Sequence, residues 1–354
     1  MICMPVLDPN LPEEQDPDLF IALGSGSVHN AVKQRLSAVQ ILPYFAASKD
    51  TVQMSSSDTY KKLCEDAIQV VRQAAEYVRD RHEHRKDLHV EKKGRQNFVT
   101  EVDKKAEQIL VEGLSRVLPE AGFIAEEGTE ERRGDTYNWV IDPVDGTTNF
   151  IHGLFPFAIS VALTEKVADE SPTATAGTNN IESRPASAPA KTYDMVDGHH
   201  EVVAGVVYEF GLDELFSAWK GGGAWLNGER IRVSGTPDVG QSLIATGFPY
   251  TNFTYLDQFM ESMDYFMKNS NGLRRLGSAA TDIAYVACGR FDAFYEYGLH
   301  PWDLAAGLLL VTEAGGKVSD FNGNGDALFG QDFVCANGML FEAFQATIRK
   351  IMTA

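Results

Sequence analysis

Two aspartates spaced by three residues follow a short apolar run in the segment WVIDPVDGTTNF, residues 139–150. The apolar run predicts a buried strand, so Asp142 lies where the strand leaves the sheet, the usual position of ligand groups in such architectures. If a helix opens after Asp145, the amide N–H groups of Gly146 and Thr147 point at whatever binds there. The segment therefore offers carboxylates to a hard cation and amide donors to an anion.

Further carboxylates lie at the ends of other apolar runs. Glu126 and Glu127 end a predicted strand, and Trp302-Asp303 precedes a predicted helix. An isolated pair of aspartates is usually a turn and a helix cap, but carboxylates at three strand or helix ends favour a shared site. Because no His or Cys accompanies them, they suit Mg²⁺ rather than zinc. The pattern indicates a metal site that binds a phosphate.

The order of these motifs resembles that of the inositol monophosphatase family, the lithium-sensitive, magnesium-dependent phosphatases. The family pattern of an upstream Asp, then EE, DPxDGTT and WD is present as Asp103, Glu126-Glu127, residues 142–148 and Trp302-Asp303. The resemblance runs from about residue 57 to about 350, with an interruption at 168–200. It implies an α/β (α+β layered) fold, the alternating αβαβα sandwich of the inositol monophosphatase and fructose bisphosphatase type.

The resemblance also implies a role for each matched residue. The metal ligands would be the side chains of Glu126, Asp142, Asp145 and Asp303 and the carbonyl of Val144, with Asp142 shared by two ions. The catalytic set would be Asp103, Thr147 and Glu126, in which Thr147 paired with Asp103 holds the attacking water. The substrate-binding set would be Asp145, Gly146, Thr147, Gly277, Ser278, Ala279 and Glu296.

The family further implies two or three Mg²⁺ ions per active site and a homodimer. The predicted reaction is the hydrolysis of myo-inositol monophosphate to myo-inositol and phosphate by a metal-activated water. Phosphoryl transfer needs mainly positioning and charge neutralisation, so no covalent nucleophile is required. The nearest alternatives are a 3′-phosphoadenosine 5′-phosphate phosphatase or a sugar bisphosphate phosphatase of the same superfamily. A non-catalytic binding protein on this scaffold is the alternative from another class.

A core beginning near Met54 must position these residues. Residues 1–53 contain Pro-rich acidic patches and a GSGS run, which predict a poorly ordered extension before a catalytic domain at 54–354. The Ser/Thr/Ala/Pro-rich composition of residues 168–200 predicts a disordered insertion in a surface loop.

Apolar periodicity predicts alternating helices and strands in the rest of the chain. Helices are predicted from 57 to 78, at 101–116, 281–290 and 303–315, and at the C-terminus. Strands are predicted at 123–127, 138–142, 157–165, 201–210, 242–248, 291–297 and 333–337. Pro143 is expected to stop its strand ladder, and Asn227-Gly228 predicts a hairpin turn. The alternation without a tandem repeat indicates layered sheets and helices with mixed strand pairing.

Composition narrows the classes of partner. The 354 residues include 31 Lys and Arg against 50 Asp and Glu, a formal net charge of -19. This balance argues against a nucleic-acid or anionic-membrane surface. The four cysteines are scattered without a CxxC pair, which is typical of reduced thiols and favours the cytoplasm, and no apolar run approaches a membrane span. The predicted partner is a small-molecule phosphate monoester.

Overall fold

Helices and strands alternate along the chain, as the mixed pattern predicted. The computed structural model describes residues 55–85, 90–94, 97–130, 132–167, 199–250, 252–325 and 327–353. The predicted N-terminal extension, 1–53, and residues 168–198 of the predicted insertion lie outside the described residues. His199 and His200 pair with Val167 and Lys166 in a β-ladder. Strand structure therefore resumes at residue 199, just before the predicted end of the insertion at residue 200.

The described helices are α1 (Ser56–Glu83), α2 (Glu101–Val117), α3 (Thr147–His152), α4 (Leu256–Asn269), α5 (Ala279–Ala287), α6 (Pro301–Glu313) and α7 (Phe341–Met352). The strands of the first half are β1 (Val90–Gly94), β2 (Asn97–Thr100), β3 (Gly122–Ala125), β4 (Tyr137–Asp145), β5 (Ala158–Val167) and β6 (His199–Glu209). Those of the second half are β7 (Glu214–Trp219), β8 (Gly223–Leu226), β9 (Glu229–Ile231), β10 (Leu243–Thr246), β11 (Gly272–Arg274), β12 (Ala293–Tyr297), β13 (Gly316–Ser319) and β14 (Asp332–Asn337). The amphipathic helix α4 was not predicted.

Two large sheets carry the fold. A seven-stranded sheet has the order β3-β4-β5-β6-β7-β8-β9, in which β3 is parallel to β4 and the remaining pairs are antiparallel. A five-stranded sheet has the order β11-β10-β12-β14-β13, with β10 parallel to both neighbours. The strands β1 and β2 form a separate antiparallel pair.

Helix pairs cover the faces of both sheets, so that helices and sheets alternate in five layers. The pair α1 and α2 packs on the outer face of the seven-stranded sheet. The pair α5 and α6 lies between the two sheets and contacts both, and α4 and α7 cover the outer face of the five-stranded sheet. The resulting αβαβα order confirms the predicted architecture. None of the described helices is long and apolar enough to cross a membrane.

The central strand β4 is buried on both faces, which explains its continuous apolar run. Trp139 and Ile141 pack toward α1 and α2, and Val140 packs toward α5 and α6. Burying a large apolar side chain of this kind contributes about 1.5 to 3 kcal/mol. The strand that presents the DPVD segment is therefore held rigidly from both sides.

The prediction that Pro143 stops the ladder was wrong. The strand β4 continues to Asp145, and the pairing partners of Asp142 and Asp145 on β5 are Ser160 and Ala158. Three steps on β4 thus match two steps on β5, which defines a β-bulge. A bulge tolerates proline because the ladder is locally interrupted there.

The predicted hairpin turn was confirmed. Asn227 and Gly228 connect β8 to β9 with φ values of 50° and 84°, as a tight hairpin turn requires. The preceding hairpin, between β7 and β8, turns at the glycines 221–223.

Candidate active site

Three carboxylates converge where β4 and α6 meet. One oxygen from each of Asp142, Asp145 and Asp303 lies within 4.8 Å of the others. Asp142 and Asp145 are buried, with 2% and 8% of their surfaces exposed. The bulge in β4 presents the first two, and the first turn of α6 presents Asp303, whose Oδ2 accepts a hydrogen bond from the His300 amide at 2.6 Å. Local backbone geometry thus brings the three carboxylate groups together.

Glu126 joins this cluster through strand pairing. It follows β3, which runs parallel to β4, and its amide donates to the carbonyl of Ile141 at 3.2 Å. The carboxyl groups of Glu126 and Asp142 share a hydrogen bond. The parallel pairing therefore brings together two predicted ligands that lie sixteen positions apart in the chain.

Burial and mutual repulsion raise the pKa values of Asp142 and Asp145 when no cation is present. Desolvation, followed by the charges of Glu126, Asp145 and Asp303, raises the pKa of Asp142 well above its ordinary value. Desolvation raises the pKa of Asp145 to about 6, although hydrogen bonds from Ser278 and Ala280 oppose the shift. A cluster of buried, like-charged oxygens with no nitrogen or sulfur donor fits a hard divalent cation.

Thr147 and Asp103 form the predicted pair. The Thr147 hydroxyl lies 3.2 Å from Asp103 Oδ1 and 3.0 Å from the carbonyl oxygen of Val144. Asp103 is 1% exposed in the first turn of α2, where its Oδ2 accepts from the amide and hydroxyl of Thr100 at 2.8 Å and 2.5 Å. The capping box of α2 therefore fixes the carboxylate against which Thr147 is oriented.

Gly146 forms the turn between β4 and α3. Its φ of 91° lies in the left-handed region, and a Cβ at this position would be 3.0 Å from the carbonyl oxygen of Gly277. A side chain would therefore be strained and crowded. Glycine allows the backbone to approach the wall formed by the GSAA segment.

The start of α5 supports Asp145. The Ser278 hydroxyl donates to Asp145 Oδ2 at 2.6 Å, and the Ala280 amide donates to the same oxygen at 2.7 Å. Ser278 also caps α5 by accepting from the Thr281 amide. Its hydroxyl proton is thus engaged with a carboxylate, so Ser278 orients Asp145 within the site.

A cavity of about 330 Å³ opens over the cluster. The predicted site residues that line it are Glu126, Asp142, Val144, Asp145, Gly146, Thr147, Gly277, Ser278, Ala279, Glu296 and Asp303. Asp103 lies behind this wall, in contact with Thr147. The structure therefore brings every predicted site residue to one place.

The cavity also contains residues that the sequence analysis did not single out: Thr148, Gly247, Tyr250, Arg275, Asp282 and Leu299. Thr148 stands inside the DGTT motif and Arg275 stands two residues before GSAA, so proximity to a motif was the available signal for these two. Gly247 and Tyr250 follow β10 and had no such signal. Among the described residues that line the cavity, Arg275 is the one Lys or Arg.

Glu296 of β12 lines the same cavity. Desolvation, followed by the charge of Asp145, raises its pKa to about 8, and the charge of Arg275 opposes the shift. A carboxyl of this kind is a strong acceptor when ionised and a donor when protonated. Glu296 is therefore suited to contact hydroxyl groups.

Comparisons with known proteins agree with this geometry. The sequence profile of the inositol monophosphatase family matches residues 59–176 and 195–353. The inositol-1-monophosphatase of Mesorhizobium japonicum is 37% identical over 269 residues, which cover 76% of this chain and 89% of that protein. The Nus factor SuhB of Pseudomonas aeruginosa is 38% identical over 288 residues, which cover 80% of this chain and 94% of that protein.

A solved structure shares the fold. The crystal structure of the extragenic suppressor protein SuhB from Bartonella henselae superimposes with a TM-score of 0.68 at 32% sequence identity. The match covers 84% of this chain and 99% of that one. The layered architecture and the sequence motifs are thus found together in known proteins.

Proposed function

The chain belongs to the inositol monophosphatase family of metal-dependent phosphatases, and from this premise we propose that it hydrolyses myo-inositol monophosphate to myo-inositol and phosphate. The observation that carries the proposal is the convergence of Asp142, Asp145 and Asp303 within 4.8 Å in a cavity that also contains Glu126. A buried cluster of this charge is costly unless cations bind to it. A phosphate ester is the natural substrate of such a site.

The donor set supports two or three Mg²⁺ ions as the cofactor. The residues that would hold them are Glu126, Asp142, Asp145 and Asp303 through their carboxylates and Val144 through its carbonyl. Bound Mg²⁺ would acidify a water molecule and offset the negative charge of the phosphate. All of these donors are oxygens, as Mg²⁺ prefers.

Thr147 is suited to orient the attacking water. Its hydroxyl proton has two acceptors in reach, Asp103 Oδ1 at 3.2 Å and the Val144 carbonyl oxygen at 3.0 Å, and donation to either leaves a lone pair of the Thr147 oxygen to accept a hydrogen bond from water. Asp103 is a positioning residue in this proposal because it acts through Thr147. Together they aim the water toward the cavity.

The two ends of the substrate meet different groups. The amides of Gly146 and Thr147 are suited to phosphate oxygens, and Glu296 is suited to the hydroxyls of the leaving alcohol. The GSAA residues Gly277 and Ala279 line the same cavity. This polarity supports an ester of a hydroxylated alcohol.

The alternatives make different demands on the site. A 3′-phosphoadenosine 5′-phosphate or sugar bisphosphate phosphatase would use the same metal site, but its substrate carries a second phosphate, for which the described cavity residues offer one guanidinium, Arg275, beside the carboxyl groups of Glu296 and Asp282. A non-catalytic binding protein would have no need for a complete set of metal-binding carboxylates. The monophosphatase is therefore the function that the site supports best.

We also infer a cytoplasmic homodimer. The family implies the homodimer. The cysteines favour the cytoplasm, since Cys64, Cys288 and Cys335 are free thiols and burial raises their pKa values. Such thiols resist oxidation and suit a reducing compartment.

Steady-state turnover on a panel of esters tests the proposal. Inositol 1-phosphate, 3′-phosphoadenosine 5′-phosphate and fructose 1,6-bisphosphate are compared with Mg²⁺ and Li⁺ varied independently. We expect inositol 1-phosphate to be the preferred substrate, with activity that requires Mg²⁺, declines at high Mg²⁺ and is inhibited by Li⁺. Full activity in EDTA would refute the mechanism, and a strong preference for either bisphosphate would replace the substrate.

A further inference from the structure

The loop that follows β10 lies directly against Glu296. A Cβ built on Gly247 would be 1.9 Å from Oε1 of Glu296 and 2.0 Å from its Oε2. A side chain here would have to displace the Glu296 carboxyl group, so the backbone of the loop rests on that group. The position of the loop is thus tied to the residue that the proposed function assigns to substrate hydroxyls.

A second contact holds the same loop from the side. The guanidinium group of Arg275 lies 5.4 Å from the centre of the Phe248 ring, within the range of a cation–π interaction. The Phe248 ring also makes an edge contact with Phe259 of α4 at 6.4 Å. Contacts with Glu296, Arg275 and Phe259 therefore hold the loop beside the cavity.

Tyr250 extends from this loop into the cavity. It lines the cavity, 48% of its surface is exposed, and its hydroxyl makes no hydrogen bond to any of the residues that the structure describes. Desolvation, followed by the charges of Asp303 and Glu296, raises the pKa of the Tyr250 phenol. The hydroxyl therefore keeps its proton, and Tyr250 lines the cavity together with the metal-binding carboxylates and Glu296.

We propose that Tyr250 is a specificity-determining residue whose hydroxyl donates a hydrogen bond to a hydroxyl of the leaving alcohol. The inference rests on the proposed phosphatase function and deepens it. A hydroxyl group both donates and accepts, and the pair of Tyr250 as donor and a carboxyl oxygen of Glu296 as acceptor matches these two needs, because a carboxyl group keeps an acceptor oxygen in either protonation state. An alcohol without such a hydroxyl leaves Tyr250 without a partner and gains nothing from it.

The test compares two tyrosines of one loop. Tyr250→Phe removes the hydroxyl that faces the cavity, and Tyr255→Phe makes the same change at a residue that packs against Tyr297 and does not line the cavity. Each variant is assayed with inositol 1-phosphate and with p-nitrophenyl phosphate, whose leaving group has no neighbouring hydroxyl. We expect Tyr250→Phe to lower kcat/KM for inositol 1-phosphate by about tenfold and to leave p-nitrophenyl phosphate within about twofold, the effect of one lost hydrogen bond. Tyr255→Phe should change neither.

Two results would overturn the inference. An equal loss on both esters would place Tyr250 at the phosphate or in the support of the loop, and an unchanged kcat/KM for inositol 1-phosphate would show that the hydroxyl does not reach the alcohol. Wild-type protein that hydrolysed neither ester would instead refute the proposed function itself. The melting temperature of Tyr250→Phe serves as the fold control, and it should match that of wild type because the hydroxyl has no described partner.

Discussion

The two buried aspartates of the site differ in how their negative charge is stabilised. Asp142 is affected by three carboxylates, namely Glu126, Asp145 and Asp303, in addition to its own burial. Asp145, in contrast, is stabilised by donors from Ser278 and Ala280. Removal of charge at Asp142 therefore relieves the metal-free protein while it weakens the binding of cations.

Asp142→Asn should abolish turnover and leave the fold intact. We expect kcat to fall by about a hundredfold or more, the scale seen when a key electrostatic group is removed from an active site. The melting temperature in EDTA should be unchanged or higher, because one repulsive charge is gone. Asp264→Asn on the exposed surface of α4 is the matched control, and near-normal turnover of Asp142→Asn at saturating Mg²⁺ would contradict the assignment.

Glu296 and Asp145 make the stability of the metal-free protein depend on pH. Burial raises the pKa of Glu296 from 4.5 to about 8 and that of Asp145 from 3.8 to about 6. The folded state thus holds protons that the unfolded chain has lost. Stability is greatest below the unfolded pKa values and falls as pH rises through the folded ones.

The melting temperature in EDTA should therefore fall between about pH 5 and about pH 8.5. Glu296→Gln should flatten the part of this decline above about pH 7, because its side chain cannot ionise. Added Mg²⁺ should reduce the decline by binding the ionised carboxylates. A melting temperature that rose steadily over the same range would show that these carboxyls are not buried with raised pKa values.

At the scale of elements, the helices of the middle layer direct their N-terminal turns at the cavity. The first turn of α5 supplies the Ala280 amide to Asp145, and the first turn of α6 supplies Asp303. From the other sheet face, the capping box of α2 presents Asp103. The turn at Gly146, between β4 and α3, must fit among the N-terminal turns of α2, α5 and α6.

Gly146→Ala tests that turn. The change forces a side chain into the left-handed region, at a cost of about 1 to 2 kcal/mol, and places a Cβ 3.0 Å from the Gly277 carbonyl. Gly228→Ala is the matched control, since its φ is 84° but nothing lies within 4 Å of the added atom. We expect both variants to lose stability in denaturant titrations and only Gly146→Ala to lose activity, by about tenfold or more. Equal activity in the two variants would show that the turn at Gly146 does not contribute to the catalytic geometry.

At the scale of the whole molecule, the net charge of -19 makes local neutralisation essential to the binding of an anionic ester. The described residues that line the cavity carry six carboxyl groups and one guanidinium, so together they repel a phosphate dianion. The described helices and strands all fall within the unit Met54–Ala354, which contains every residue of the candidate site. We therefore propose that residues 1–53, which lie outside this unit, and residues 168–198, which contain no residue of the candidate site, are not needed for catalysis.

Deletion of residues 1–53 and 168–198 should retain most activity. Val167 pairs with His199 across the β5 and β6 ladder, so a short Gly/Ser linker can close the hairpin without moving either strand. The double deletion and the two single deletions are compared with the full chain for Mg²⁺-dependent turnover and melting temperature. Loss of folded protein in either single deletion would show that the deleted segment packs on the catalytic domain.

The sequence by itself determined the chemistry and the local shape of much of the site. The continuous apolar run at 139–141 required a strand buried on both faces, and the carboxylates and glycine that follow it required a turn capable of binding a cation and an anion. The Asn227-Gly228 turn was equally local, because its φ values depend on the residue types present. The family motifs then led to the αβαβα order, which the sheets and helices confirm.

Only the tertiary structure decided which distant residues meet. Pro143 lies in a bulge because β5 supplies the register against it, and Glu126 bonds to Asp142 because β3 pairs in parallel with β4. Tyr250 reaches the cavity because the loop after β10 rests on a carboxyl of β12. Periodicity and motif spacing describe neighbours along the chain, whereas contacts between strands and loops depend on how the layers pack, which no local pattern records.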